Sequence, residues 1–275
     1  MTAAGRRRSL IIPREHGAWG ILLVPLITGA CVGLLAGGGA WGLAPFSTAA
    51  LALFWLRTPV ESWMGTTPVR PRTPDEMRFV RNTALVLALV SMSALLWLFW
   101  GGQNLALLWI GAAAGTAFAG QSILKRISRS ARTVAQMVGA AGLTSTAPAA
   151  YHAVTARFDT TAWSLWAANL LFAINQIQFV QLRIRAAHTR NRSEKLSAGC
   201  GFLIGQVVLI VLLALAVIGQ FFPWRAALAF LPVLLRGFAW FAVKSEVLAI
   251  QTLGKRELVH ACAFGALLVL GMLLR

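Results

Sequence analysis

The chain has 275 residues, 58% of them hydrophobic and only 12% charged, with a mean hydropathy of +0.71. A soluble domain carries about 25% charged residues, so a water-facing surface cannot be coated and a soluble globular protein is excluded. The formal net charge of +17 raises nucleic acid as a partner, but the charges sit in short connections between apolar runs. No basic stripe is left to lie along a groove, so nucleic-acid binding is excluded as well.

Arg6-Arg7-Arg8 ahead of an apolar run has the look of a signal-peptide front. Glu15 and His16 interrupt it, however, and the run 18–35 is longer than a signal core of about 7–15 residues. It reads as a retained membrane helix, with residues 1–13 a basic cytoplasmic tail and 14–275 a single membrane domain. A helix needs about 20 apolar residues to cross a bilayer, and nine segments meet or approach this: 18–35, 42–56, 83–100, 105–120, 136–153, 161–180, 199–219, 224–243 and 258–274. The fifth, "GAAGLTSTAPAAYHA", is rich in small and hydroxylated residues that suit close helix packing or a cavity wall.

The basic residues test this count independently. With the N-terminus in the cytoplasm, the inside segments hold 21 of the 25 Lys and Arg, while the outside ones hold only Arg157, Arg225 and Arg275. Arg236 falls within the eighth segment. Adding or removing one helix scrambles the alternation, so the positive-inside rule predicts nine helices and an outside C-terminus. The long connections, near 57–82 and 182–198, both fall on the cytoplasmic side, as do the candidate functional residues.

In the opening stretch "IIPREHGAWGILLVPLI", Pro13 suits the first position of a helix and Glu15 its first turn, where a carboxylate meets the helix dipole favourably. His16 is not explained this way. At membrane depth it faces the bundle interior, as part of a helix interface or as the lining of a site. In the connection after the second segment, Arg57, Glu61, Arg70 and Arg72 stand among four prolines. Arginine forks fit phosphate or carboxylate; the alternatives are a collar on anionic lipid headgroups and a simple Arg57–Glu61 pair at i,i+4. Asn175, Gln178, Gln181 and Arg185 share one helical face of the sixth segment. Such a face is costly in lipid and points inward, to bond neighbouring helices or to line a site. Arg236, one turn after Pro232, reaches freed carbonyls or a ligand.

Metal chemistry finds little support in the residues. Cys31, Cys200 and Cys262 have no CxxC spacing and read as apolar fillers, and the four histidines show no HxxxH pair. Haem held between His16 and His260 is disfavoured.

Pro13-Arg14-Glu15-His16-Gly17-Ala18-Trp19 resembles the opening motif of the YwiC-like family of bacterial membrane proteins, and the resemblance extends to "TLGKRELVHACAFGALLVL" near the C-terminus. It implies a multi-pass protein of the bacterial inner membrane and brings no catalytic residues with it. The nine-helix pattern, with long cytoplasmic connections after the second and sixth helices, also looks like the UbiA-type prenyltransferases. Those enzymes hold a prenyl diphosphate through magnesium on Asp-rich motifs. Here those places offer Glu61, Asp75 and Glu76, then amides and arginines, a poor donor set for magnesium. The expectation is an all-α membrane protein with a cytoplasm-facing cavity lined by Glu15, His16, Arg57, Glu61, Asn175, Gln178 and Arg236. It would hold an isoprenoid or other amphiphile with an anionic head, as a divergent transferase or as a binding protein. The alternatives are a small-solute transporter and an assembly partner of a membrane complex.

Overall fold

The computed structural model describes residues 3–12, 16–65, 69–101, 105–127, 131–187, 191–243 and 250–274. Among the described residues every regular element is a helix. In chain order they are α1 (Ala3–Ile11), α2 (His16–Leu35), α3 (Leu43–Trp63), α4 (Pro74–Trp100), α5 (Ala106–Ile127), α6 (Arg132–Thr144) and α7 (Thr146–Thr155). There follow α8 (Thr160–Arg185), α9 (Arg192–Ile218), α10 (Trp224–Ala227), a 3-10 turn (Leu228–Phe230), α11 (Leu231–Ala242) and α12 (Ile250–Leu273).

Each apolar segment falls on helix. Among the described residues six stretches, in α2, α4, α5, α9, α10 to α11, and α12, are long and apolar enough to cross a membrane. Their outward faces carry the side chains that lipid accepts: Leu85, Leu89, Trp97 and Trp100 on α4, and Ile204, Val208, Val211 and Leu215 on α9, are all exposed. An apolar surface of this extent is not sustained in water, and the chain is an all-helical membrane protein.

Several boundaries differ from the sequence reading. α3 runs to Trp63, so Arg57 and Glu61 are helical rather than in a connection. α4 begins at Pro74 because Thr73 caps it, its hydroxyl accepting from the Glu76 backbone N–H at 3.2 Å. Pro74 fills the first position, where no donor is needed. The fifth segment is broken between α6 and α7. Around the break the hydroxyls of Thr144, Ser145 and Thr146 donate to the carbonyls of Ala140, Gly142 and Leu143, competing with the helical ladder.

The helices form two compact units, one of residues 1–16 and 39–104, the other of 17–38 and 105–275. In the first, α3 and α4 pair and α1 lies against both. Trp55 Nε1 donates to the carbonyl of Ile11 (2.7 Å) and Ser62 Oγ to that of Leu10 (2.9 Å), which satisfies carbonyls at the end of α1.

In the second unit α8 is central, packed on α6, α7, α9 and α11. The core includes Phe172 stacked on Phe264 at 4.1 Å between ring centroids, with Phe230 edge-on to Phe264. Small residues let backbones meet: α2 touches α7 at Gly29 and Ala147, the membrane pattern of close helix approach. α8 starts where Asp159 accepts from the N–H groups of Thr161 (2.9 Å) and Ala162 (3.2 Å), and its other oxygen accepts from Tyr151. Asp159→Ala removes this cap and is expected to cost about 1 kcal/mol, read as a lower unfolding midpoint in detergent micelles.

Candidate functional site

Polar groups within lipid-depth helices have to find partners inside the protein, and in the second unit α8 supplies one at almost every turn. Ser164 donates to the carbonyl of Phe221. Asn169 Nδ2 donates to Thr28 Oγ1 of α2 at 3.2 Å, and Gln176 Nε2 to the carbonyl of Glu257 on α12 at 3.0 Å. Gln181 Nε2 donates to Gln136 Oε1 of α6 at 3.1 Å.

The strongest charge in this series sits where α8, α11 and α12 meet. Arg236 of α11 forms an ion pair with Glu257 of α12 through Nη1 and Oε2. Its Nη2 donates to Asn175 Oδ1 at 3.3 Å, and its guanidinium lies 4.0 Å over the ring of Phe179. The two charged side chains are only 11% and 8% exposed. The group is incompletely satisfied: Arg236 Nε and Glu257 Oε1 are buried without hydrogen-bond partners. Gln206 of α9 packs against the next residue of α11, its amide nitrogen 2.9 Å from where a Cβ on Gly237 would stand. Gln206 is fully buried and neither amide atom is bonded. Buried polar groups are nearly always paired, so unpaired atoms on both partners of one ion pair mark this centre out. The pair offers one unused donor, one unused acceptor and no net charge.

Of the residues singled out from sequence, the structure brings Asn175 and Arg236 together in this centre. Gln178 is on the same helix, with its Oε1 against Gly205 of α9. Arg57 and Glu61, in the first unit, pair with each other through Nε and Oε1 at 3.1 Å. Arg72 contributes its backbone N–H to Glu76 (2.7 Å), and Arg70 its carbonyl to Arg6 (2.8 Å). Arg6 also pairs with Glu76 at 2.8 Å, fastening α1 to the start of α4. Glu15 and the side chain of His16 lie outside the described residues. His260 Nδ1 contacts the carbonyl of Arg256 in its own helix (2.7 Å). Among the described residues no three His, Cys, Asp or Glu side chains gather as a metal would require.

Glu257, Gln206 and Lys195 were missed. Lys195 Nζ donates to the carbonyls of Trp240 (3.2 Å) and Val243 (2.6 Å), closing the end of α11 as a cation at a helix C-terminus does. Glu257 had a signal: it is the sole acidic residue in "IQTLGKRELVHACAFGALLVLGML". Lys255 and Arg256 look like a connection, which moves the expected start of the last segment to one residue after Glu257. α12 begins at Ile250, which sets Glu257 two turns inside. Gln206 is a lone amide in "GFLIGQVVLIVLL", and such an amide in an apolar run points inward.

Comparison with curated proteins gave no match, and neither did comparison with solved structures. A sequence profile described as YwiC-like protein matches residues 12–151, just over half of the chain, beginning at the opening motif. The match ends at Tyr151, ahead of Asn175, Gln206, Arg236 and Glu257. On this match the chain belongs to the YwiC-like family.

Proposed function

We propose that this YwiC-like protein is a single membrane domain that crosses the bacterial cytoplasmic membrane nine times, N-terminus inside and C-terminus outside, arranged like the UbiA-type proteins. Its task is to bind an isoprenoid or another amphiphile by the polar head. The charge alternation along the sequence and the helix at each apolar segment support the topology. The observation that carries the binding reading is the Arg236–Glu257 pair, buried between α8, α11 and α12 with unpaired atoms on both partners. Ionisable residues inside membrane helices are costly and mark substrate sites. The tail then lies along the apolar helices, and the exposed Arg70 and Arg72 meet anionic headgroups at the membrane surface.

Lipid mass spectrometry on the protein purified from its own membrane tests this. The expected result is one amphiphile enriched over the bulk lipid, with retention falling about tenfold in Asn175→Leu, equivalent to about 1.4 kcal/mol. A lipid profile equal to the bulk, or unchanged in the variant, overturns it.

A second reading, a carrier of a small polar solute, draws on the series of polar side chains along α8 from Ser164 to Gln181. It requires solute uptake into proteoliposomes that Arg236→Met abolishes; absence of uptake together with lipid enrichment decides for the amphiphile.

A further inference from the structure

We infer that the head group held at the Arg236–Glu257 centre is uncharged and both donates and accepts hydrogen bonds, as the hydroxyl of a lipid alcohol does. This rests on the reading of the centre as an amphiphile site, and it replaces the anionic head expected from the loop arginines with an uncharged one. Arg236 and Glu257 neutralise one another in a site almost closed to solvent. A phosphate or carboxylate there would be a third, uncompensated charge facing a carboxylate, and a cation would face a guanidinium. Burying an unpaired charge is heavily disfavoured.

The unpaired atoms set the second requirement. Arg236 Nε is a donor and needs an acceptor; Glu257 Oε1 is an acceptor and needs a donor. Both belong to the two halves of one ion pair, so the site calls for a group that both accepts and donates. A hydroxyl does this with one oxygen, accepting from Nε–H while its own proton goes to Oε1. Gln206 repeats the combination, with an unpaired Nε2 donor and Oε1 acceptor beside Gly237. A fully ionised phosphate only accepts and leaves both acceptor oxygens unanswered. The aromatic side adds no charge: Phe179 lies under the guanidinium, and Phe202 is 5.6 Å from Phe179 between centroids.

The test compares two probes that share their tails. The full chain is placed in phosphatidylcholine nanodiscs doped with dioleoylglycerol, which ends in a hydroxyl, or with dioleoyl phosphatidic acid, which ends in a phosphate. Native mass spectrometry then reads the lipid retained. The expected result is at least tenfold preference for the diacylglycerol. Gln206→Leu, which removes a buried unpaired amide and leaves the ion pair in place, should lower that preference several-fold while the protein stays folded. Glu257→Gln, if it folds, should reverse the preference, because Arg236 then carries an uncompensated charge. Preference of the wild type for phosphatidic acid overturns the inference and leaves the amphiphile reading standing. Retention of neither probe above phosphatidylcholine, with no other amphiphile enriched from the native membrane, overturns both.

Discussion

Replacing Glu257 with Ala is expected to destabilise the protein by about 3–5 kcal/mol, the cost of stranding one member of a buried ion pair. Arg236 would keep only the Asn175 carbonyl oxygen and the face of Phe179. Neither neutralises a guanidinium whose side chain is 11% exposed. Arg236→Met strands Glu257 in the same way, with one further consequence. Glu257 Oε1 is already unpaired, so the carboxylate loses its remaining side-chain partner. The double variant Arg236→Met/Glu257→Leu removes both charges together and is expected to recover most of the loss, because apolar replacement of a buried pair is often neutral or stabilising. Unfolding in detergent micelles followed by circular dichroism reads all three. Additive losses would show that the two side chains act separately.

A second large effect is expected at a residue with no side chain. A Cβ on Gly29 would stand 2.0 Å from the carbonyl oxygen of Ala147, 2.8 Å from its carbon and 3.0 Å from its Cα. All three are backbone atoms, so no rotamer change relieves the clash and α2 has to move off α7. That separation also pulls Thr146 Oγ1 from the carbonyl of Leu22 (3.3 Å) and Asn169 from Thr28 (3.2 Å). Overpacking a core costs about 1–3 kcal/mol, and Gly29→Val belongs at or above the top of that range. Gly20, on the same helix, has nothing within 4 Å of such a Cβ, and Gly20→Ala should be near neutral. The midpoint difference between these two variants is the measurement; equal midpoints would refute the close approach of α2 and α7.

The membrane class was legible in the sequence because it rests on the least context-dependent signal, the length of apolar runs. The start of α4 was not legible in that way, because the apolar run begins only at residue 83 while Thr73 caps a helix that already starts at Pro74. The break at Ser145 was hinted at by "LTSTAP" but not placed, since hydroxyls that take helical carbonyls are also common inside unbroken membrane helices. The site was half legible. The amide face of α8 and the isolated Arg236 follow from the cost of polar groups in lipid, which one helix suffices to state. Their partners do not follow, because pairing Arg236 with Glu257 joins residues 21 apart on different helices. Arg57 and Glu61 show the converse: an i,i+4 spacing fixes its own partner, and the structure makes that pair. Of the arginines read as a phosphate-facing set, Arg57 pairs with Glu61, while Arg70 and Arg72 contribute backbone groups to Arg6 and Glu76.

The central claim is that the buried pair is kept for a ligand rather than for stability, and Arg236→Met/Glu257→Leu separates the two most directly. Amphiphile retained by this variant and by the wild type should be compared by mass spectrometry at matched stability. The expected result is a folded protein that has lost the enriched lipid. A folded double variant that retains the same lipid at the same level would contradict it.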